Sequence, residues 1–358
     1  MIKILIVEDS AFMRKVLSDL FAAEPDFLVL DTARNGKDAI EKVKRLKPDV
    51  ITMDVEMPVM DGISALEIIM HEIPTPVVMV SSLTRSGAEA TIRALELGAV
   101  DFVTKTAGPI STISGINVEI IAKCRAAARV NISQIAKRQV PLTKVVMPPQ
   151  VKPPETLFAT VSATTEEQIV AIGTSTGGPR ALQEIITKLP GNLPCGIIVV
   201  QHMPPGFTKS LSERLNSLSS VTVKEAEHND VIRPGFVLIA PGDYHMIVER
   251  EGSKKVVKLN QTPPIGGHRP AVDPMMESVA KVYGQRAVGV ILTGMGHDGA
   301  KGIQCIKNQK GYTIAEDQST AVVFGMPKSA IELGVIDKVA PLNAIASEII
   351  KAISHSMK

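Results

Sequence analysis

The stretch Ile4-Leu5-Ile6-Val7-Glu8-Asp9 joins a short apolar run to two acidic residues, and this arrangement recurs along the first part of the chain. An apolar run of about four residues is typical of a strand that is buried on both faces. Four more runs occur at residues 28–30, 50–53, 77–80 and 102–103, with segments of helical periodicity between them. Such alternation predicts a parallel sheet that has helices on both faces. We therefore predict a doubly wound α/β domain over residues 1–122, with five strands and about five helices.

A second alternating region follows a change of composition. Residues 123–165 are predicted to be a linker, helical at first and then rich in proline, with five prolines between residues 139 and 168. From residue 166 to 353 we predict a Rossmann-like α/β domain with a mixed, mostly parallel sheet and a hairpin over residues 244–259. The other predicted elements are strands at 169–172, 197–200, 237–239, 288–292 and 313–315 and helices at 180–189 and 274–283.

Length and composition exclude several classes of protein. The 358 residues suggest two domains, and an apolar fraction of 45% with 21% charged residues is that of a globular chain. A net charge of +2 and an aromatic fraction of 3% do not favour nucleic-acid binding. No apolar run approaches the ~20 residues of a membrane-spanning helix. Three widely spaced cysteines match no metal-binding pattern and are typical of a reducing compartment, so we expect a cytoplasmic protein without membrane insertion.

Polar residues stand where the predicted strands of the first domain end. Glu8 and Asp9 follow the first strand, Asp54 the third, Ser81 the fourth and Lys105 the fifth. Side chains past the carboxyl ends of parallel strands converge on one crevice. Crowded carboxylates there favour Mg²⁺, and a carboxylate can accept a phosphoryl group while a lysine balances the developing charge. The alternative is that each of these residues only caps the following helix.

These residues resemble the response-regulator receiver family, whose fold is flavodoxin-like. The matching segments are Val7-Glu8-Asp9-Ser10, Met53-Asp54-Val55-Glu56-Met57-Pro58, Val80-Ser81-Ser82 and Phe102-Val103-Thr104-Lys105. The resemblance implies that Asp54 is phosphorylated by a histidine kinase. It also implies that Glu8, Asp9, Asp54 and the Glu56 carbonyl hold Mg²⁺ and that Ser81, Phe102 and Lys105 transmit the phosphorylation. Thr106 stands where the family usually has proline, which puts the cis peptide expected there in doubt.

In the second region, a glycine-rich turn follows the strand at residues 169–172. Its sequence, Gly173-Thr174-Ser175-Thr176-Gly177-Gly178-Pro179, fits a turn that exposes a nucleophilic serine ahead of a helix, although a similar turn can cradle a phosphate. His202 and Asp298 also follow strands, and they could complete a Ser-His-Asp triad. Spacing does not exclude the other histidines of this region, which are His228, His245, His268 and His297.

A dinucleotide-binding alternative competes at the Asp298 turn. Gly294-x-Gly296-x-x-Gly299 fits the dinucleotide fingerprint, and Glu316 and Asp317 lie ~20 residues further on, where an acid would bind a ribose. The turn lies late in its domain, however, and His297 and Asp298 would crowd a pyrophosphate. This alternative remains open on the residues alone.

The second region closely resembles the catalytic domain of the protein-glutamate methylesterase/deamidase family. The matching segments are residues 173–179, Gln201-His202-Met203-Pro204, His268-Arg269-Pro270-Ala271-Val272-Asp273, residues 292–299 and residues 315–321. Thr174 replaces the family's more usual alanine. The resemblance implies Ser175 as nucleophile, His202 as general base, Asp298 as its orienter, and the amides of Thr176 and Met295 as oxyanion donors.

The two resemblances together imply a phosphorylation-activated hydrolase that acts on methyl-esterified glutamates, and on glutamines, of a chemoreceptor's cytoplasmic helical domain. Mg²⁺ would serve the receiver domain, and the ester hydrolysis itself would need no cofactor. The competing hypothesis is a non-catalytic response regulator whose output domain binds a partner or a dinucleotide.

Overall fold

The computed structural model describes residues 1–105, 113–132 and 168–355, and the chain divides into two compact units, Met1–Pro141 and Leu142–Lys358. The predicted linker lies largely outside the described residues, as does Thr106. Within the described ranges, no helix is both long enough and apolar enough to cross a membrane. Each unit is described below by itself.

The first unit contains one parallel sheet of five strands in the order β2-β1-β3-β4-β5. The apolar runs predicted as strands lie within these five strands, and five helices accompany them in the described part of this unit, in line with the sequence prediction. The elements are β1 (Ile2–Val7), α1 (Ala11–Ala22), β2 (Phe27–Ala33), α2 (Gly36–Leu46), β3 (Val50–Asp54), α3 (Gly62–Glu72), β4 (Val77–Ser81), α4 (Arg85–Glu96), β5 (Asp101–Thr104) and α5 (Ile113–Ala127).

Burial explains why these segments form a sheet. Every residue of β3 and β4 is buried, and so are the last four residues of β1. Helix α5 packs against β3, β4 and β5, and its Cys124 and Ala127 are fully buried. The helical residues 123–127 therefore pack on this sheet, beyond the residue at which the sequence predicts the linker to begin.

The second unit contains a sheet of seven strands in the order β14-β13-β12-β6-β7-β9-β8. Its strands are β6 (Ile169–Thr174), β7 (Gly196–Gln201), β8 (Thr222–Glu225), β9 (Phe236–Ile239), β12 (Ala287–Ile291), β13 (Tyr312–Glu316) and β14 (Lys338–Ala340). The helices are α6 (Gly178–Ile186), α7 (Phe207–Leu218), α8 (Val272–Tyr283), α9 (Ala300–Asn308), α10 (Met326–Glu332) and α11 (Leu342–His355), and a short 3₁₀ helix spans Gly284–Arg286. All pairings between these seven strands are parallel.

The predicted hairpin is present as β10 (His245–Glu251) and β11 (Lys254–Asn260), with Gly252 and Ser253 at its turn. It forms a separate two-stranded sheet. The prediction of a mixed sheet was therefore wrong. The physical reason is that Met246, Val248 and Val257 bury their side chains in the apolar core together with helix α8, so the hairpin packs over the core without pairing with a strand of the large sheet.

The strand order of the large sheet creates a topological switch point at β6. β6 lies between β7 and β12, and the chain proceeds outward from β6 in both directions. Ligands and reacting groups of open α/β sheets lie at such a point, outside the carboxyl ends of the strands. Ser175 follows β6, His202 follows β7 and Asp298 lies on the loop after β12.

Candidate functional site

In the first unit, three of the predicted polar side chains meet at the carboxyl edge of the sheet. Lys105 Nζ lies 2.8 Å from Asp54 Oδ2 and 3.0 Å from Glu8 Oε2. Both carboxylates are buried, with 1% of Glu8 and 3% of Asp54 exposed. The ammonium of Lys105 thus balances negative charge that water cannot screen.

The structure does not support the alternative in which these residues only cap the following helices. Helices α1 to α4 are capped by other side chains, each of which accepts a hydrogen bond from the amide three residues ahead: Ser10, Asn35, Asp61 and Thr84. Glu8, Asp9, Asp54 and Ser81 stand earlier in their loops or at strand ends. The polar cluster at the sheet edge is therefore additional to the helix caps.

The carboxylates of this cluster are suited to a divalent cation. One oxygen each from Glu8, Asp9 and Asp54 can be chosen so that all three lie within 4.8 Å of one another. Burial, with repulsion from Asp54, raises the pKa of Glu8 to about 7, although Lys105 opposes this shift. Burial also raises the pKa of Asp54 against the opposing effect of Lys105. Hard oxygen donors that repel one another match the ligand preference of Mg²⁺.

The remaining residues predicted for the first unit lie around this cluster. The amide of Glu56 donates to Asp54 Oδ1 at 3.3 Å, while its side chain is exposed. The buried hydroxyl of Ser81 donates to the Gly87 carbonyl in α4 at 3.1 Å. Phe102 is buried in β5, and Lys123 Nζ lies 5.2 Å from the centroid of its ring. The roles of the Glu56 carbonyl, Ser81 and Phe102 stay predictions.

In the second unit, Ser175 lies in a tight turn between β6 and α6. Its amide donates to the Thr293 carbonyl at 3.0 Å, and its carbonyl accepts from the Gly178 amide at 2.8 Å. Gly177 has a φ of 79°, which a side chain would strain. A Cβ atom on Gly178 would lie 1.9 Å from Gln201 Oε1. The turn that presents Ser175 therefore requires the glycines from which it was predicted.

His202 and Asp298 are joined by a short hydrogen bond. The His202 amide donates to the Thr174 carbonyl at 3.1 Å, which places the end of β7 beside the Ser175 turn. His202 Nε2 lies 2.7 Å from Asp298 Oδ2. The Asp298 carboxylate also accepts from the amides of Val272 and Asp273, at 2.6 and 3.0 Å. Burial acts against its charge, but these hydrogen bonds outweigh burial and lower the pKa of Asp298.

This bond decides which ring nitrogen is left for acid–base chemistry. With its proton held on Nε2 by an ionised carboxylate, the His202 ring presents a lone pair on Nδ1. His202 Nδ1 is buried and has no hydrogen-bond partner among the residues that the structure describes. If His202 is the base for Ser175, as the sequence predicts, Nδ1 is the nitrogen available to take the proton.

The loop after β12 flanks Ser175 on its other side. The Gly294 amide donates to the Val323 carbonyl at 3.0 Å, and its carbonyl accepts from the amides of Gly325 and Met326. A Cβ atom on Gly294 would lie 2.9 Å from Ser175 Cβ. Met295 follows directly, and Thr176 lies on the Ser175 turn itself. The two residues predicted to supply oxyanion donors therefore bracket the nucleophile, and their amide contacts with an oxyanion stay a prediction.

Three residues to which the sequence analysis gave no role in the triad support this arrangement. Gln201 Nε2 donates to the carbonyls of Ser175 and His202, at 2.9 and 3.0 Å, and so connects the two turns. Thr293 accepts the Ser175 amide, and its hydroxyl donates to the Thr176 carbonyl at 2.9 Å. Glu316 is buried, and its Oε2 accepts from the Thr293 amide at 2.8 Å. Gln201 directly precedes His202, which is the one signal that could have indicated it.

The dinucleotide alternative is not favoured by these contacts. Glu316, one of the two acids considered for a ribose, accepts from the Thr293 amide and the Thr320 hydroxyl. Asp298, inside the glycine-rich turn, is hydrogen-bonded to His202. Glu316 thus supports the backbone beside Ser175, and Asp298 orients His202.

The other histidines of this unit differ from one another in their surroundings. His245 is buried, and its Nδ1 accepts from the Ala271 amide at 3.2 Å. His228 Nδ1 accepts from the Leu259 amide at 3.2 Å, and His297 is exposed. The ring of His268 stacks on that of His202, with centroids 4.0 Å apart and an interplanar angle of 11°. His268 is therefore the one histidine among these four that lies against a predicted catalytic residue.

Comparisons with known proteins cover both units. The family model described as CheB methylesterase matches residues 170–349, and that of the response regulator receiver domain matches residues 4–116. The protein-glutamate methylesterase/protein-glutamine glutaminase of Pyrococcus abyssi is 49% identical over 353 residues, covering 98% of this chain and 94% of that protein. The protein of the same name in Symbiobacterium thermophilum is 51% identical, covering 99% of this chain and 98% of its own. The crystal structure of the Thermotoga maritima CheB methylesterase catalytic domain is 51% identical with a TM-score of 0.51, and it aligns over 52% of this chain and 99% of that domain.

Proposed function

Since the chain belongs to the CheB methylesterase family and carries a receiver domain, we propose that it removes methyl esters from glutamates of chemoreceptors under the control of phosphorylation. The observation that carries this proposal is the His202–Asp298 hydrogen bond of 2.7 Å at the strand end beside Ser175. The same site deamidates receptor glutamines, and both reactions contribute to sensory adaptation.

The first half of the reaction is acylation of Ser175. As Ser175 Oγ attacks the ester carbonyl carbon, His202 Nδ1 takes the hydroxyl proton, and Asp298 stabilises the resulting imidazolium. The amides of Thr176 and Met295 donate to the oxyanion of the tetrahedral intermediate. The bond to the methoxy oxygen then breaks, and methanol leaves with the proton from His202.

The second half restores the serine. His202 Nδ1 takes a proton from a water molecule, which attacks the acyl carbon, and the Ser175 oxygen leaves with that proton. The product is a glutamate carboxylate. A glutamine follows the same route with ammonia as leaving group, so each event adds one negative charge to the receptor. These steps use only side chains and amides of the chain.

The receiver unit supplies the switch. Asp54 accepts a phosphoryl group from a histidine kinase, and Glu8, Asp9, Asp54 and the Glu56 carbonyl would hold Mg²⁺. Bound there, the cation would neutralise charge on the transferring phosphoryl oxygens. Lys105, which lies 2.8 Å from Asp54 Oδ2, stabilises the phosphorylated carboxylate, and Ser81 and Phe102 respond to it.

The partners follow from this chemistry. The substrate is the cytoplasmic helical domain of a chemoreceptor, and the phosphodonor is the chemotaxis histidine kinase. We therefore expect the protein to act in the cytoplasm. A partner-binding output domain without catalysis is the competing function, and the contacts of Asp298 favour the enzyme.

The proposal is tested by methanol release from methylated receptor membranes. We expect the full chain to release methanol and Ser175→Ala to release none. Ser217→Ala is the matched control, because Ser217 is an exposed serine on α7 whose hydroxyl donates within its own helix. Binding of the membranes without methanol release by the unaltered chain would contradict the proposal and favour the partner-binding alternative.

A further inference from the structure

A second imidazole covers one face of the base. The rings of His268 and His202 are nearly parallel, with centroids 4.0 Å apart. Only 5% of the His202 side chain is exposed, whereas His268 is an exposed residue. The His202 ring thus lies inside the site, and the His268 ring covers it on the solvent side.

The loop that carries His268 is built to fix the position of this ring. Ile265 and His268 exchange two backbone hydrogen bonds of 3.0 Å across Gly266 and Gly267, whose φ angles are 58° and 84°. Two consecutive residues with positive φ are typical of a tight hairpin turn. The turn therefore sets the direction in which His268 leaves the backbone.

Arg269 anchors the same loop on the following side. Its Nε donates to Asp243 Oδ1 at 3.0 Å, and its Nη1 donates to the carbonyls of Gln261 and Thr262 at 3.1 Å. The Asp243 amide donates back to the Arg269 carbonyl at 3.0 Å. These contacts join Arg269 to Asp243 and to the backbone at Gln261 and Thr262. They restrict movement of the loop, and with it movement of the His268 ring away from His202.

The charged and titratable groups around the two rings come from several segments of this unit. Asp298 bonds to His202 Nε2, at the ring edge, and Asp273 and Glu277 of α8 lie close enough for their charges and that of Asp298 to affect one another. Arg269 is paired with Asp243 beside His268, and the buried His245 bonds to the Ala271 amide and lies 3.3 Å from the Pro263 carbonyl. The face of the His202 ring, in contrast, meets His268.

The chemistry of the base makes this face important. When His202 takes the serine proton, its ring becomes a cation, and an aromatic face within ~6 Å stabilises a cation. If His268 were itself protonated, two positive charges ~4 Å apart would repel. The same contact therefore favours or opposes the reaction according to the charge on His268.

We infer that His268 is a positioning residue for His202: its neutral ring stabilises the imidazolium formed during catalysis, and its protonation slows acylation of Ser175. The inference rests on the proposed function, since it takes His202 as the base. It adds a second titrating group to the acid side of the pH profile.

The test measures the rate at which a fluorophosphonate phosphonylates Ser175 in the full chain between pH 5.5 and 8.5. The reagent forms a bond from Ser175 Oγ to phosphorus and releases fluoride, so it needs the same base but no receptor. His268→Phe keeps an aromatic face without a titrating charge, and His268→Ala removes the face. His71→Phe is the control, because His71 is an exposed histidine on α3 of the receiver unit.

We expect His268→Phe to react within about threefold of the unaltered chain at pH 8 and His268→Ala to react about 3–30-fold more slowly, as the loss of a cation–π contact predicts. Since histidine is the side chain that changes charge between pH 5 and 8, the ratio of the Phe variant to the unaltered chain should rise several-fold from pH 8 to pH 6. The control should show no such rise.

A ratio that stays constant with pH, or an Ala variant that reacts as fast as the Phe variant, would overturn the inference. Failure of the proposed function gives a different result: Ser175 would be labelled normally while methylated receptors release no methanol.

Discussion

Replacement of Asp298 by asparagine changes one group of the predicted triad, because an NH₂ group takes the place of a carboxylate oxygen. The Asp298 carboxylate accepts hydrogen bonds from His202 and from the amides of Val272 and Asp273. An asparagine has one accepting oxygen and an NH₂ group that donates. The Val272 amide and His202 share Oδ2, whereas the Asp273 amide donates to Oδ1. If the asparagine oxygen takes the place of Oδ1 and keeps the Asp273 amide, the NH₂ group takes the place of Oδ2 and faces His202 Nε2, which must then accept. The imidazole proton moves to Nδ1, and the nitrogen facing Ser175 loses its lone pair.

The expected loss is large because the wrong tautomer cannot accept the serine proton. The same substitution in the trypsin triad lowers kcat by about 10⁴-fold, which corresponds to about 5.5 kcal/mol of transition-state stabilisation. The folded state should lose far less, about 1–3 kcal/mol, since one hydrogen bond among several is weakened at a buried site.

Single-turnover methanol release and thermal unfolding separate these two effects. Asp273→Asn is the matched control, because Asp273 is a neighbouring half-buried acid whose carboxylate accepts from the Gly302 amide at 2.8 Å, whereas the bond to His202 belongs to Asp298. We expect the control to retain kcat within about threefold. Asp298→Asn activity within tenfold of the unaltered chain would refute the assignment of Nδ1 as the reacting nitrogen.

Three further predictions concern the support of the two sites. Glu316→Ala leaves the buried Thr293 amide without its 2.8 Å acceptor, so we expect a loss of about 1–3 kcal/mol in the free energy of unfolding, measured by urea titration, and a lower kcat. Gly294→Ala places a Cβ atom 2.2 Å from Met326 Sδ and 2.9 Å from Ser175 Cβ, so the rate of Ser175 labelling should fall at least tenfold while the receiver unit melts unchanged. In the metal-free protein the pKa of Glu8 is raised to about 7, so its contribution to stability is present below its ordinary value of 4.5 and is lost as the pH rises through 7. Calorimetry should therefore show that Mg²⁺ raises the Tm of the receiver unit more at pH 8 than at pH 5, and that Glu8→Gln reduces the difference.

The fold could be predicted where buried strands carry apolar runs. β3 and β4 consist of buried residues and were predicted within a residue of their observed ends. β8 and β14 were missed because they are short edge strands with exposed or half-buried residues, which leave no apolar run. The hairpin itself was predicted, but the pattern of β10 and β11 does not indicate the surface on which it packs.

The candidate sites could be predicted to the extent that they depend on strand ends. Glu8, Asp54 and Lys105 meet because parallel strands deliver their carboxyl ends to one edge, and the same rule brings His202 to the Ser175 turn. The contact between His268 and His202 could not be predicted, because it depends on a long loop folding back over the site. Spacing placed Glu316 at a ribose in the dinucleotide alternative. In the structure Glu316 is buried and accepts a hydrogen bond from the Thr293 amide.

Methanol release from methylated receptor membranes, with and without a small phosphodonor and Mg²⁺, tests the central claim most directly when Asp54→Asn and Ser175→Ala are measured beside the unaltered chain. The account predicts release that rises with the phosphodonor, does not rise in Asp54→Asn and vanishes in Ser175→Ala. Methanol release that persists in Ser175→Ala, or that rises equally in Asp54→Asn, would contradict it.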